Sequence, residues 1–488
     1  MRLIMLALSV LTVTMACPLL RAQPDTLWTR TYGGRDFERG HAIVRTQDGG
    51  YIIGGYTTSF GAGGRDVYLV RTDSDGDTIW TRTYGGSDSD VANAVVNTSD
   101  GGFLAVGYTY SYGLGGRNAY LVRTDPHGDT LWTKTYGGND LDDGRAVVRT
   151  PDDGFAIVGG SYSYGPGPAA VWMLRIDSDG DTLWMKTYGG TDIDFGESVV
   201  ATPDNGFFIV GRTYSYGVGS ADVYLIRTDA QGNIIWTRAY GGGGWDSGFS
   251  VAETSEGSYI VTGATESFGA IYENVYLLSV DPDGDTLWTR MYGGNHDDRG
   301  NAIVETYDRG YLITGWTYSF GEGECSVYLI RTDRNGATLW TTTYGGNKED
   351  FGSSVTITAD GGYIVAGYSL SFGAGESDIY VVRIAQEVGV EEENGVDAPI
   401  IYGKVWPNPS SGDCWVAYGM AREGNVRITL YDLVGRVVCH AYGGYERPGQ
   451  HIVRLDTSSF SSGIYFLRLE TPDRLHTMRM VSVRGLTP

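Results

Sequence analysis

From about residue 25 to 384 the chain alternates short runs of β-branched, aromatic and small residues with clusters of Gly, Ser, Asp and Pro. One stretch shows the pattern well: Ala92–Asn97, the turn Ser99-Asp100-Gly101-Gly102, Phe103–Tyr108, the loop Ser111–Gly116, Asn118–Thr124, the turn Pro126-His127-Gly128, and Thr130–Tyr136. Runs of this length bounded by turn residues predict four antiparallel strands. Helix-period segments are absent after residue 22, so the chain reads as all-β.

The four-strand unit recurs seven times at a spacing of 52 residues. Tryptophans fall at Trp28, Trp80, Trp132, Trp184, Trp236, Trp288 and Trp340, and mid-strand glycines at Gly55, Gly107, Gly159, Gly211, Gly263, Gly315 and Gly367. A fixed period of this length marks a repeat architecture in which each unit buries its apolar face against its neighbours. Four strands per unit make a blade, and closing seven blades into a ring removes sheet edges that an open stack exposes. The chain enters on a lone fourth-type strand, Asp25 to Tyr32, and leaves the array after a third-type strand, Asp378 to Ile384. The first strand is therefore expected to complete the last blade. Glycine inside every second strand costs stability on its own, which predicts close approach of a neighbouring blade, with the tryptophan ring as its candidate partner.

The prediction is a seven-bladed β-propeller over 23–385, an acidic linker over 386–399, and a small Ig-like β-sandwich over 400–488. Residues 1–22 have the charged, apolar, small-residue order of a secretory signal peptide, Met1-Arg2, then Leu3 to Ala16, then Leu20-Arg21-Ala22. Met15-Ala16-Cys17 offers lipoprotein processing as the rival. No other run is apolar and long enough to span a membrane, so the mature chain is expected to have no transmembrane segment.

Charge narrows the partners. Lys and Arg total 36 against 59 Asp and Glu, a formal net charge of −23. That field repels phosphate backbones, so nucleic acid is not an expected partner. Of four cysteines, Cys17 falls in the signal peptide; Cys414 and Cys439 either pair across the sandwich or stay reduced. The six histidines show no metal-ligand spacing, and no nucleophile elbow or phosphate loop appears, so no catalytic residue and no metal ligand is assigned. No cofactor is expected. Calcium is the one ion that acidic turns such as Asp73-Ser74-Asp75-Gly76-Asp77 recommend, although Asp125-Pro126-His127-Gly128 and its other copies read as plain hairpin turns.

Two recurring sets on one face are the ligand-face candidates. Glu38, Asp90, Asp142, Asp194, Asp246, Asp298 and Asp350 lead into each first strand, and Tyr112, Tyr164 and Tyr216 lie in the loops after the second strands, with Phe at the equivalent positions elsewhere. Carboxylates beside aromatic faces suit sugar or peptide recognition. Residues needed in every copy equally suit fastening of one blade to the next. Positions that differ between copies, among them Trp245, Tyr272, Arg65, Arg117, Glu273 and Glu324, are the better places to seek a single asymmetric site.

Two resemblances add to this. Thr124 to Trp132, with Thr-Asp-x-x-Gly-Asp-Thr-Leu-Trp, resembles the docking-tryptophan segment of quinoprotein-type propeller repeats, which implies the architecture and not the cofactor. Toward the end, Trp406-Pro407-Asn408-Pro409 with Gly412, the run Val426 to Val438 containing Asp432, Gly435 and Arg436, then Gly449, Gly463 with Tyr465, and finally Arg479 resemble the C-terminal sorting domain of type IX secretion cargo in Bacteroidota-like bacteria. That resemblance implies partners, namely the type IX machinery and its C-terminal-domain peptidase, and a location, secreted or attached to the outer-membrane surface of a Gram-negative cell. The cargo is then expected to be a monomeric propeller binding an extracellular glycan or protein. A polysaccharide hydrolase or lyase and a structural surface-layer component are the alternatives.

Overall fold

The computed structural model describes residues 23–387 and, in the tail, 404–406, 413–420, 423–432, 436–447, 449–457, 460–461, 463–471 and 475–482. The predicted signal peptide, most of the linker, Pro407, Asn408, Pro409, Gly412 and Gly435 lie outside the described residues. The chain divides into two units, Met1–Glu387 and Val388–Pro488.

The first unit consists of seven four-stranded antiparallel sheets. In the second blade the strands are Asp90–Asn97, Phe103–Thr109, Asn118–Thr124 and Thr130–Tyr136. Blades 1 to 6 begin at Glu38, Asp90, Asp142, Asp194, Asp246 and Asp298 and take four consecutive strands each. Blade 7 takes three, from Asp350 to Ile384, and its fourth is Thr26–Tyr32, which pairs antiparallel with Asp378–Ile384. First strands touch first strands in order round the ring, and Glu38–Arg45 also touches blade 7, so the ring closes. Second and third strands are buried almost throughout because each sheet packs on two others. Fourth strands, on the outside, bury little.

Seven apolar cores lie between adjacent blades. Between blades 1 and 2, Ile52, Val67 and Leu69 meet Ala92, Phe103 and Val122; across the closure, Ile53 and Val70 meet Tyr32, Ile364 and Val381. Burying such side chains contributes roughly 1.5–3 kcal/mol each, which is how a repeat with no core of its own becomes stable. Each core is pinned from outside by the fourth strand. Trp80 Nε1 donates to Pro126 O at 3.2 Å and Tyr84 Oη to Gly128 O at 2.6 Å, and the tyrosine contact recurs in six of the seven fourth strands, so these grip the next blade's outer turn; Tyr344 of blade 6 accepts from Thr26 Oγ1 instead. Gly128 has φ +81° and a Cβ there would strike the Trp80 ring, which requires glycine twice over.

The mid-strand glycines have a different partner from the one the sequence implied. A Cβ on Gly107 would collide with the Val91 carbonyl of its own blade, and Gly55 meets Arg39 in the same way. The tryptophan docks on the turn glycine instead. The cause is a β-bulge in each first strand, seen as a register shift between Ala92 and Ala94 opposite Gly107 and repeated in all seven blades.

The second unit contains a three-stranded and a four-stranded sheet. Their shared core includes Cys414, Val416, Tyr418, Ile428, Leu430, Leu467 and Leu469, with Cys439 packed against it. Alternation in Gly424–Tyr431 places Val426, Ile428 and Leu430 inward.

Candidate functional site

The seven recurring carboxylates are buried, without exposed surface. Asp194 shows the arrangement: one oxygen accepts from Gly190 N–H at 2.8 Å and from Ser215 Oγ at 2.7 Å, while that Oγ accepts from Asp192 N–H at 3.0 Å. The Gly N–H bond recurs in every blade, from Gly34 to Glu38 through Gly346 to Asp350, at 2.6–2.8 Å. These acids tie the crossover entering a blade to the loop after its second strand, so they face backbone and not solvent. Tyr112, Tyr164 and Tyr216 are partly exposed, but their hydroxyls donate to Gly85, Gly137 and Gly189 carbonyls on the same crossovers. The acids fasten the loops in every copy, and the tyrosine hydroxyls add to this in the three blades that carry them. The Asp-rich outer turns are similarly occupied: Asp73 accepts from Asp75 and Asp77 N–H at 2.9 Å, an Asx turn that Asp125, Asp177, Asp229, Asp281 and Asp333 repeat.

Side chains that differ between blades meet at the same end of the ring, at the starts of the innermost strands. Arg117 of blade 2 reaches Asp143 of blade 3 at 2.7 Å, and Asp143 also holds Arg145 at 3.0 Å. Arg145 then bridges to Glu197 of blade 4, which receives Arg212 at 3.0 Å. The Arg145 and Arg212 guanidiniums both lie over Phe195, 4.6 and 4.8 Å from its ring centre. On the opposite side Glu273 of blade 5 takes Arg299 of blade 6, with one contact at 2.8 Å, and that guanidinium faces Trp245, Phe249 and Trp316 at 5.6, 4.9 and 5.2 Å. Aromatic contacts continue through Phe351 to Tyr368, 4.7 Å apart and stacked, and Arg39 sits 4.2 Å over Tyr368.

The electrostatics of this ring oppose those of the whole chain. Six arginines, Arg39, Arg65, Arg117, Arg145, Arg212 and Arg299, make its cation contacts; Asp143, Glu197 and Glu273 pair with four of them, and Asp297 and Glu349, at the repeat position of Trp245, accept from Glu273 N–H and the Tyr318 hydroxyl instead. Burial works against charge on Asp143, yet Arg145 and Arg117 hold its carboxyl below the ordinary range. His41, pressed against the Ala92 carbonyl at 3.0 Å, is driven down to about 4 by burial, with Arg39 and Arg65 adding to the effect. It is neutral at physiological pH.

Among the predicted positions Trp245, Arg65, Arg117 and Glu273 belong to this ring. Tyr272 stays exposed on a loop, 5.6 Å from His296. The sequence reading missed Arg39, His41, Arg145, Glu197 and Trp316. His41, Arg145 and Glu197 occupy the bulge position, where an extra residue turns its side chain toward the neighbouring blade. Aligning the seven copies and seeking columns that differ marks them all.

In the tail the described motif residues are structural. Arg436 N–H donates to Asp432 Oδ1 at 2.8 Å, and the Tyr465 hydroxyl donates to Ser461 O at 2.9 Å with its ring against Phe460. Gly449 pairs with Met420 and Gly463 with Ser482, and Arg479 pairs with Phe466, at the edges and centre of the two sheets. Residues 404–483 match the family described as "Secretion system C-terminal sorting domain". The tail is a type IX sorting domain. A sorting domain of this kind places the protein among cargo secreted to, or attached at, the surface of a Gram-negative bacterium, where the type IX machinery recognises it.

Residues 46–78 match a domain of unknown function described as a β-propeller. The chain is also similar to regulatory protein FlaEY of Caulobacter vibrioides, 24% identical over 38% of this chain and 23% of that protein. Among solved structures, PorZ, a surface component of the type-IX secretion system of Porphyromonas gingivalis, aligns at a TM-score of 0.46 with 13% identity over 93% of this chain and 60% of its own. A puromycin hydrolase mutant aligns at 0.47 with 13% identity over 78% and 59%. The chain thus spans under two thirds of the length of each. No helix among the described residues is long and apolar enough to cross a membrane.

Proposed function

We propose that the sorting domain delivers a binding module, and that the propeller recognises an extracellular glycan or protein with the axial end at which Arg117, Arg145, Trp245, Arg299 and Trp316 converge. One observation supports the reading above others: residues that differ between blades gather at one end of the axis, while the loops around them are held by the same fastening in each copy. A rigid repeated frame carrying an asymmetric centre is what a single specific site requires. Aromatic and arginine side chains also dominate the energetics of recognition surfaces. Export precedes this role, and removal of the sorting domain by a C-terminal-domain peptidase is part of the proposal.

The alternative of a polysaccharide hydrolase draws less support, because a glycosidase needs one carboxyl kept protonated beside another that is ionised, and Asp143, Glu197 and Glu273 are each bound to arginine. Screening the chain against glycan and protein arrays tests the proposal. Retained ligands should be lost on Trp245→Ala with the melting temperature kept within a few degrees. Turnover of a bound polysaccharide, or binding indifferent to axial substitutions, overturns it.

A further inference from the structure

Of the seven junctions between blades at the axial end, two carry an opposite-charge pair, three carry no charge, and two carry a cation alone. The residue before each third strand faces a residue early in the next blade's first strand, 26 positions on. At the junction of blades 2 and 3 this gives Arg117 with Asp143, and at that of blades 5 and 6 it gives Glu273 with Arg299, the same pair with its polarity reversed. Between blades 7 and 1 the positions hold Ser377 and Arg39; between blades 1 and 2 they hold Arg65 and Val91. Each of these junctions has a cation and no carboxylate, and both cations belong to blade 1.

Their surroundings are preorganised for an anion. Neither Arg39 nor Arg65 makes an ion pair among the described residues, and the Nε of Arg39 is a buried donor with no acceptor. The two guanidiniums lie over tyrosine rings, Arg39 over Tyr368 at 4.2 Å and Arg65 over Tyr56 at 4.7 Å, and Tyr56 is the cross-strand neighbour of Arg39. Stacking fixes each planar fork; Arg65 is exposed, and Arg39 is half-buried with its Nε unmatched. Glu349, the acid whose field reaches Tyr368, is engaged by the Tyr318 hydroxyl at 3.0 Å. His41, which lies edge-on to Tyr56 at 5.7 Å, stays neutral and neither adds to the positive charge nor competes for it. Around the same end Tyr110, Tyr162, Tyr214 and Tyr318, at one position of the repeat, are exposed and offer ring faces to sugars.

We infer that Arg39 and Arg65 form the anion subsite of the propeller and that its ligand is an acidic polysaccharide, whose carboxylate or sulfate completes the two unfilled junction pairs while its sugar faces rest on the rim tyrosines. The inference rests on the proposed binding role and narrows it. Charge-assisted, bidentate bonds of this type favour carboxylate and sulfate equally, so probes of each are needed.

The experiment is calorimetric titration of the full chain with oligogalacturonate, dextran sulfate, neutral dextran and polyglutamate, at low and high salt, for the parent, Arg39→Gln, Arg65→Gln and the double variant. Arg30→Gln, on an exposed outer strand, serves as the control. Acidic glycan should bind about ten-fold or more tighter than neutral dextran, with salt weakening only the former. The double variant should abolish that difference and Arg30→Gln should leave it intact. Oligogalacturonate against dextran sulfate tells which anion is preferred. Equal binding of neutral and acidic glycans, or an acidic preference that survives the double variant, overturns the subsite and leaves the binding role standing. Polyglutamate bound in place of every glycan overturns the polysaccharide assignment. No binding by any probe removes this inference, and the array then judges the broader role. Arg65 is exposed, so Arg65→Gln alone provides the reading if Arg39→Gln fails to fold.

Discussion

The loops that join the blades and the axial end that they surround are a few ångströms apart and obey opposite rules. In the loops a carboxylate, a glycine N–H and a serine hydroxyl occupy the same places, and in six of the blades that hydroxyl donates to the acid. Round the axis no two blades carry the same combination of residues: Arg39 and His41 in blade 1 become Val91 and Asn93, then Asp143 and Arg145, then Phe195 and Glu197. The difference separates stability from specificity. A residue required in every copy serves the frame, and a residue that one copy alone possesses is free to serve a ligand.

Substitutions on the two sides of this boundary should therefore have unequal effects. The largest is expected for Asp194→Ala, which leaves the Gly190 N–H and the Ser215 hydroxyl without their buried acceptor; a loss of about 3 kcal/mol should appear in denaturant unfolding. Next comes Asp204→Ala. The buried Arg227 binds Asp204 through both oxygens, at 2.5 and 2.6 Å, but the aspartate is more than half exposed. About 1–2 kcal/mol is expected, since water partly replaces the lost partner. Blade 5 carries this pair's natural double replacement, with Ser279 for the arginine and Glu256 for the aspartate. Asp204→Ala combined with Arg227→Ser should thus cost less than the sum of the single changes, and a double-mutant cycle reads this directly.

A gain is expected at Asp222. Burial pushes its carboxyl up to about 6, a Val218 N–H opposes this, and Asp246 adds to it. The folded state therefore holds a proton more tightly than the unfolded chain, so stability falls as pH rises from about 4 through 6. Asn118 and Asn274 occupy this position in blades 2 and 5. Asp222→Asn should raise stability at pH 7.5 by about 1 kcal/mol and change it little at pH 4, as melts at the two pH values would show. The smallest effect belongs to the axial side: Arg65→Gln should alter stability by less than about 0.5 kcal/mol. A large loss there erases the boundary between frame and site.

Much of the fold was legible because its signals are local and repeated: four strand runs, turn residues between them, and a constant period. The burial of the acids was not. Asp90 looks like a loop carboxylate in sequence, and its donors, Gly86 and Ser111, stand four residues before and 21 after it. The serine's own recurrence was the available hint. The bulge was hidden for another reason. It changes the direction of one side chain without altering hydrophobic alternation elsewhere in the strand, so Arg145 and Glu197 read as ordinary polar strand residues. Tryptophan docking was assigned to the mid-strand glycine because both recur at the same period, and period alone does not say which of two recurring partners touch.

The pairing of Thr26–Tyr32 with Asp378–Ile384 has a temporal meaning as well as a geometric one. A chain emerging from its amino terminus presents the first of these strands long before the second exists outside, and contacts so distant in sequence form slowly. Until then Thr26–Tyr32 has no strand to pair with, and blade 1 has no neighbour on its blade 7 side. The sorting domain follows the last strand after a short linker, so the propeller becomes complete only shortly before the address that directs its delivery emerges.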